Sequence, residues 1–95
     1  VRMYPENEIA NMNAAAAAIL RKDLVAAERY LNKVDSKEPE YINSRGVVGL
    51  LKGAYKQAEK YLKAAAGSGL EAAKDNLDEL AKKKANIAEI EKTIR

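Results

Sequence analysis

The side chains that most often perform catalysis at neutral pH are missing from this chain of 95 residues. It contains no histidine and no cysteine, which removes the usual general base, the thiol nucleophile and the commonest zinc ligands. Besides the tyrosines, the remaining hydroxyl groups are those of Ser36, Ser44, Ser68 and Thr93. A serine activated by a lysine is the one catalytic arrangement left open. We expect no catalytic residues, no metal site and no cofactor.

Lysines are the second group of residues with possible chemistry. The spacing of four of them predicts a one-sided basic stripe: Lys52, Lys56, Lys60 and Lys63. Residues 82–84 are three more in succession, so nucleic acid or an acidic membrane surface has to be considered. Glu59, Asp78 and Glu79 are interleaved with these lysines and the net charge is only +3, which favours a solvated outer face. We expect no nucleic-acid partner.

The composition indicates one small all-α domain over residues 1–95. Hydrophobic residues make up 47% and charged residues 33% of the chain, as in globular proteins and unlike disordered ones. Prolines occur only at Pro5 and Pro39, so long stretches are free to form helices. No apolar run approaches the roughly 18 residues of a membrane span, and residues 1–6 lack the apolar core of a signal peptide. We expect no membrane insertion.

An internal repeat organises the sequence. A shift of 31 residues aligns residues 19–31 with residues 50–62. The identical pairs are Leu20 and Leu51, Ala27 and Ala58, Glu28 and Glu59, Tyr30 and Tyr61, and Leu31 and Leu62. Within each copy, apolar residues recur three and four positions apart, which is typical of an amphipathic helix. Each copy therefore predicts two helices joined by a short turn, and the two copies predict an antiparallel helix-hairpin array.

The turn inside each predicted hairpin has its own signal. In copy one, Asp23 is a good N-cap for the second helix. In copy two, Gly53 supplies the tight turn, and Lys22 occupies the matching place in copy one.

Small residues also occupy matching places in the two copies. Ala15 and Ala18 align with Gly46 and Gly49, and Ala27 aligns with Ala58. The shared smallness predicts close helix packing at these places. Ala17, in the same run of alanines, is expected on a looser face.

The spacing of these residues resembles the tetratricopeptide repeat, whose signature is an aromatic residue, Leu-Gly, Tyr, Ala-x3-Phe and Pro. Copy two has Ile42, Arg45, Gly46, Gly49, Ala58 and Leu62 at these places, and copy one has Asn11, Ala14, Ala15, Ala18, Ala27, Leu31 and Pro39. The chain departs from the pattern because the signature Trp and Tyr are missing, Arg45 replaces an apolar residue, and the period is 31 where about 34 is usual. The resemblance implies repeats at 8–38 and 39–66, followed by a capping segment at 67–95.

The resemblance also implies a function, the binding of a peptide or partner segment in a concave groove formed by the inner helices. In this register the groove residues are Met12, Ala16, Glu40, Asn43, Val47, Lys74 and Asp78. Ala16 and Val47 occupy places where carboxylate-clamping members of the family carry asparagine, so that speciality is not expected. Ordinary core packing is the alternative for Met12, Ile19, Val47 and Leu50.

The capping segment allows two structures. Ser68 and Glu71 have the spacing of a capping box that would start a third inner helix. One alternative is a single helix continuing to Ile94. The other is a second start at Asn86 and a degenerate third hairpin. Self-association, or docking within a larger parent protein, through Ile87, Ile90 and Ile94 is the competing prediction to peptide binding.

The inner helix of copy two carries Asn43, Ser44, Arg45 and Gly46 in succession. This run and the short period resemble repeat modules at the ends of larger bacterial envelope proteins. The resemblance implies a periplasmic or outer-membrane-associated parent protein, with the cytoplasm as the alternative.

Overall fold

The computed structural model describes residues 6–35 and 37–94, and of Glu6 and Ile94 it describes the backbone alone. This part of the chain contains helices and no strand. In order, the helices are α1 (Glu6–Leu20), α2 (Leu24–Leu31), α3 (Pro39–Lys52), α4 (Tyr55–Gly67) and α5 (Glu71–Ile94). The predicted all-α fold is confirmed.

The helices pack as a hairpin array in two layers. α1 pairs with α2 and α3 pairs with α4, while α2 contacts α3 and α4 contacts α5. The inner layer is α1, α3 and α5, which contact one another in succession, and the outer layer is α2 and α4, whose Cα atoms stay more than 8 Å apart. The resulting slab measures 52 × 27 × 16 Å. Two neighbouring helices of one layer therefore form the walls of each groove.

Both hairpin turns use a left-handed residue. Lys22 has a φ of 60° and Gly53 a φ of 84°, so copy one places a lysine in a conformation that favours glycine. Asp23 caps α2 as predicted, because its Oδ1 accepts a hydrogen bond of 3.2 Å from the amide of Ala26. Ala54 is the corresponding residue before α4, and its side chain makes no cap.

The small residues of the repeat lie where the helices approach each other. Ala15 and Ala18 are fully buried, whereas Ala17 is exposed. A Cβ added at Gly46 would lie 2.6 Å from Cγ of Leu62, which is closer than real Cβ atoms come. At Gly49 it would lie 3.2 Å from Cβ of Ala58. The α3–α4 pair thus needs glycine at one place and tolerates little more at the other.

The core contains two buried clusters. The first consists of Ala15, Ala18, Ala26, Ala27, Leu31 and Val48. The second consists of Leu50, Ala58, Leu62 and Leu80. Leu80 comes from α5, so the third inner helix closes the core of the second hairpin as a cap.

The capping segment forms one uninterrupted helix, so the degenerate third hairpin is wrong. Without a glycine or proline after Gly69, nothing stops the helix that begins at Glu71. All side chains of residues 81–93 are exposed, including Ile87 and Ile90 at 38% and 58%. The side chain of Ile94 lies outside the described part of the chain.

The predicted capping box is also wrong. Ser68 Oγ donates to the carbonyl oxygen of Ala64 at 3.3 Å and closes the end of α4. Gly69 then turns the chain with a φ of 93°, and α5 starts at Glu71. A capping box needs its glutamate at the third helical position, and Glu71 comes too early for that.

Candidate functional site

Two neighbouring depressions lie between α1 and α3 on the inner layer. The first has a volume of about 360 Å³ and is lined by Ile9, Met12, Asn13, Glu38 and Glu40. The second has a volume of about 280 Å³ and is lined by Ala16, Ile19, Leu20, Asn43, Ser44 and Val47. We call the two depressions together the inner groove. Five of the seven predicted groove residues line it: Met12, Ala16, Glu40, Asn43 and Val47.

The α1 side of the inner groove is an apolar stripe along one face of the helix. Its members recur three and four positions apart, so they stand above one another. Ile9 is 45% and Leu20 is 85% exposed. The fully buried Ala15 and Ala18 belong to the first core cluster. Helix α1 therefore has one face committed to the core and an adjacent face that leaves large apolar side chains in solvent.

Charge distinguishes the two ends of the inner groove. Glu40 is exposed in the first depression, and no described residue forms an ion pair with its carboxylate. Glu38 lies in the same depression. The second depression holds the neutral polar side chains of Asn43 and Ser44 beside its apolar residues. The inner groove is thus acidic at one end and neutral at the other.

Lys74 and Asp78, the remaining predicted groove residues, lie on α5 and line neither depression. Lys74 Nζ pairs with the carboxylate of Glu71 at 3.3 Å. Helix α5 instead reaches α3 through Asn76, whose Nδ2 donates to Oδ1 of Asn43 at 3.0 Å. Sequence reasoning missed Asn76, because nothing local indicates a partner 33 residues away. This bond fixes the side-chain amide of Asn43 in the groove wall.

Four apolar residues were expected either in the groove or in the core, and the structure divides them between the two. Leu50 is 7% exposed and belongs to the second core cluster, so the core interpretation holds for it. Met12, Ile19 and Val47 are half-buried and line the inner groove.

The described serine and threonine hydroxyl groups form hydrogen bonds with the preceding turn of helix. Ser44, Ser68 and Thr93 each donate to the carbonyl oxygen four residues earlier, at 2.9 to 3.3 Å. Ser36 lies outside the described residues. Within residues 6–35 and 37–94, no three carboxylates come together as a metal site. None of the helices described combines the length and the apolar character needed to cross a bilayer.

A repeated ion pair fastens each outer helix to the inner helix that follows it. Glu28 on α2 pairs with Nζ of Lys52 on α3 at 2.8 Å, and the aligned Glu59 on α4 pairs with Lys84 on α5 at 2.8 Å. The hydrogen bond from Lys84, with a second one from Lys63, lowers the pKa of Glu59 below its usual value. The alignment paired the two glutamates and did not reveal their lysine partners. In this respect α5 relates to α4 as α3 relates to α2.

Arg45 occupies an apolar place of the family pattern and has polar partners. Its Nε donates to Oη of Tyr41 at 2.9 Å, and its Nη2 donates to Oδ1 of Asn32 at 2.7 Å. Tyr41 Oη in turn donates to the carbonyl oxygen of Leu31, at the end of α2. Tyr41, which accepts from Arg45, thereby satisfies a carbonyl group at the C-terminal end of α2 from the neighbouring hairpin.

No protein-family model, curated protein or solved structure matches this chain. The resemblance to the tetratricopeptide repeat therefore rests on its residue pattern alone.

Proposed function

We propose that this chain is a non-catalytic, tetratricopeptide-like module that binds a peptide or partner segment in the inner groove. The observation that carries the proposal is the open apolar stripe of α1, with Leu20 85% exposed beside Ile19 and Val47. Large apolar side chains grouped at a concave surface are a feature of binding sites. The resemblance to modules of larger envelope proteins adds the proposal of a bacterial parent protein with a scaffold role.

The charges of the groove define the peptide further. An acidic end at Glu40 and an apolar remainder fit a segment with a lysine or arginine followed by apolar side chains. Two hairpins offer less surface than the roughly 800 Å² per partner of a standard interface. We therefore expect binding in the micromolar range or weaker.

The test is selection of a random peptide library on the purified protein, followed by fluorescence anisotropy of labelled peptides. Enriched peptides should share a basic residue next to apolar ones. Ala16→Glu, in the groove, should weaken binding at least about tenfold, which corresponds to roughly 1.4 kcal/mol. Ala17→Glu is the matched control, because it adds the same charge to an exposed position of the same helix outside the groove. Equal loss in both variants, or no enriched peptide, would contradict the proposal.

A second candidate function is self-association through the end of α5. Leu80 is the last buried residue of that helix, and Lys84 is the last that pairs with α4. The remaining helical segment is shorter than isolated helices need for stability in water. It carries Ile87 and Ile90 three positions apart and exposed, so packing against a second copy would cover them and support the helix.

Sedimentation velocity at two protein concentrations tests this second candidate. The wild type should sediment faster at the higher concentration, and the double variant Ile87→Lys, Ile90→Lys should not. The matched control is Ala85→Lys, Ala88→Lys, which adds the same charges on the opposite side of the helix and should behave as the wild type. A wild type that stays monomeric at both concentrations excludes self-association and leaves peptide binding untouched.

A further inference from the structure

A second cleft opens on the other side of the molecule, between the two outer helices. It has a volume of about 160 Å³ and is lined by Glu28, Arg45, Val48, Gly49, Lys52, Gln57 and Tyr61. Its walls come from α2 and α4, whose Cα atoms stay more than 8 Å apart, and α3 forms its floor. We call it the outer cleft. It shares no residue with the inner groove.

Hydrogen-bond donors outnumber acceptors in the outer cleft. Arg45 uses Nε and Nη2 within the protein, and its Nη1 has no partner among the described residues. Lys52 has one partner, Glu28, so two of its three N–H donors remain. The side chains of Gln57 and Tyr61 make no hydrogen bond to any described residue. Arg45 and Tyr61 are half-buried, and Lys52 and Gln57 are exposed. An acceptor that enters between these donors would form hydrogen bonds with them, and those to the two cations would be the strongest.

The charge of the outer cleft points to the class of that acceptor. Two cations, Arg45 and Lys52, face one carboxylate, Glu28, which leaves one positive charge uncompensated. A singly charged anion restores neutrality, and a planar carboxylate matches both an arginine and the amide and hydroxyl donors beside it. The volume of the cleft is only about 160 Å³. An acidic side chain fits this space, and a second helix does not.

We propose that the outer cleft binds a singly charged carboxylate, the side chain of an acidic residue on a partner protein. The carboxylate lies between Arg45 and Lys52 and accepts from Gln57 and Tyr61. Glu28 competes with it for Lys52. This makes the outer surface a recognition site independent of the inner groove.

Titration with acetate, followed by amide shifts in ¹⁵N-labelled protein, tests the proposal at pH 7. The reference is sodium chloride at the same ionic strength. We expect saturable shifts confined to residues that line the outer cleft, with a dissociation constant on the order of 10 mM, because so small a ligand has few contacts. Phosphate at the same ionic strength serves as a second probe, which separates a carboxylate site from a site for a free inorganic anion.

Charge variants separate ligand binding from a structural role. Lys52→Gln should weaken acetate binding about fivefold, and Glu28→Gln should tighten it by a similar factor, as expected for one unit charge close to the ligand. Lys56→Gln is the matched control, since it removes the same charge from an exposed position of α4 that does not line the cleft. Gln57→Ala should weaken binding while circular dichroism keeps the helical content of the wild type.

Three results would overturn the proposal. The first is shifts that follow ionic strength and are the same with chloride. The second is a Glu28→Gln variant that keeps its fold but binds acetate no more tightly than the wild type, since a purely structural ion pair predicts no gain. The third is phosphate binding more tightly than acetate at the same residues, which would assign the cleft to a free inorganic anion.

Discussion

The two hairpins are both pairs of helices joined by a short turn, and they carry different residues at matching positions. Helix α1 presents Ala15 and Ala18 to its partner, and both fit with their Cβ atoms fully buried. Helix α3 presents Gly46 and Gly49, and at Gly46 a Cβ would collide with Leu62. The α3–α4 pair therefore approaches more closely than a pair with alanine would permit. Alanine keeps the helix propensity that glycine loses by about 1 kcal/mol, so copy two gives up helix stability for closeness.

At the turns, copy one is the copy with the less favourable residue. Copy one places Lys22 at a φ of 60°, and copy two places Gly53 at a φ of 84°. Copy one strains this residue and adds a side-chain cap from Asp23, while copy two has the relaxed turn and no cap at Ala54. Each hairpin is thus well adapted at a place where the other is not, and substitutions at these places should affect the two copies differently.

Overpacking the small sites of copy one should have the largest effect. Ala15→Leu or Ala18→Leu should lower the free energy of unfolding by about 1 to 3 kcal/mol, because both sites are fully buried. Ala17→Leu should cost little, since Ala17 is exposed. Urea unfolding followed by circular dichroism measures all three. Equal losses at the three positions would mean that the alanine run has no specific packing sites.

Copy two should respond more sharply at Gly46 than at Gly49. Gly46→Ala pushes a Cβ to 2.6 Å from Cγ of the fully buried Leu62, so we expect a loss of about 1 to 2 kcal/mol after the gain in helix propensity. Gly49→Ala meets Ala58 at 3.2 Å and should be close to neutral. The same unfolding experiment gives both values, and an equal loss would show that α3 and α4 separate without cost.

Exchanging the turn residues should change stability in opposite directions. Lys22→Gly removes the strain of a lysine in the left-handed conformation and should stabilise the protein by up to about 1 kcal/mol. The greater freedom of glycine in the unfolded chain reduces this gain. Gly53→Lys should cost about 1 kcal/mol for the converse reason. Thermal melts of both variants provide the comparison. A loss of stability in Lys22→Gly would mean that its side chain has a further role.

Transferring the helix cap to copy two tests whether α4 lacks a side-chain cap only because residue 54 is an alanine. Asp23→Ala should cost about 1 kcal/mol. Ala54 has φ −84° and ψ 69°, close to the −89° and 82° of Asp23, so Ala54→Asp should gain about 0.5 to 1 kcal/mol by capping α4. Thermal unfolding checks both. No gain at Ala54 would show that the α3–α4 turn holds the carboxylate away from the first amides of α4.

The smallest effect concerns pH and the ion pair between α4 and α5. The pKa of Glu59 is lowered in the folded protein, so its contribution to stability is present at neutral pH and is lost as the pH falls through that lowered value. The variant Glu59→Gln should therefore lose slightly less stability than the wild type between neutral pH and a pH well below 4.5. High salt should remove the difference. Melts at the two pH values, with and without salt, measure it.

The sequence revealed most of the fold. The apolar spacing of three and four residues, Asp23 before α2 and Gly53 after α3 are local signals, and each led to the correct helix or turn. The inner groove was predicted in part, because a helical register tells which residues share a face. Lys74 and Asp78 were assigned to the groove by extending that register to α5, yet they line neither depression.

What the sequence determined by itself is the first four helices, their pairing as hairpins and the matching small residues of the two copies, because these depend on local backbone preference and on a repeated pattern. Only the tertiary structure decided that α5 runs on past the core, that Asn43 meets Asn76 and that Arg45 reaches Asn32. Only it showed the outer cleft between α2 and α4. These features depend on distances between residues that are far apart in the sequence, and those distances are set by how whole helices pack against one another.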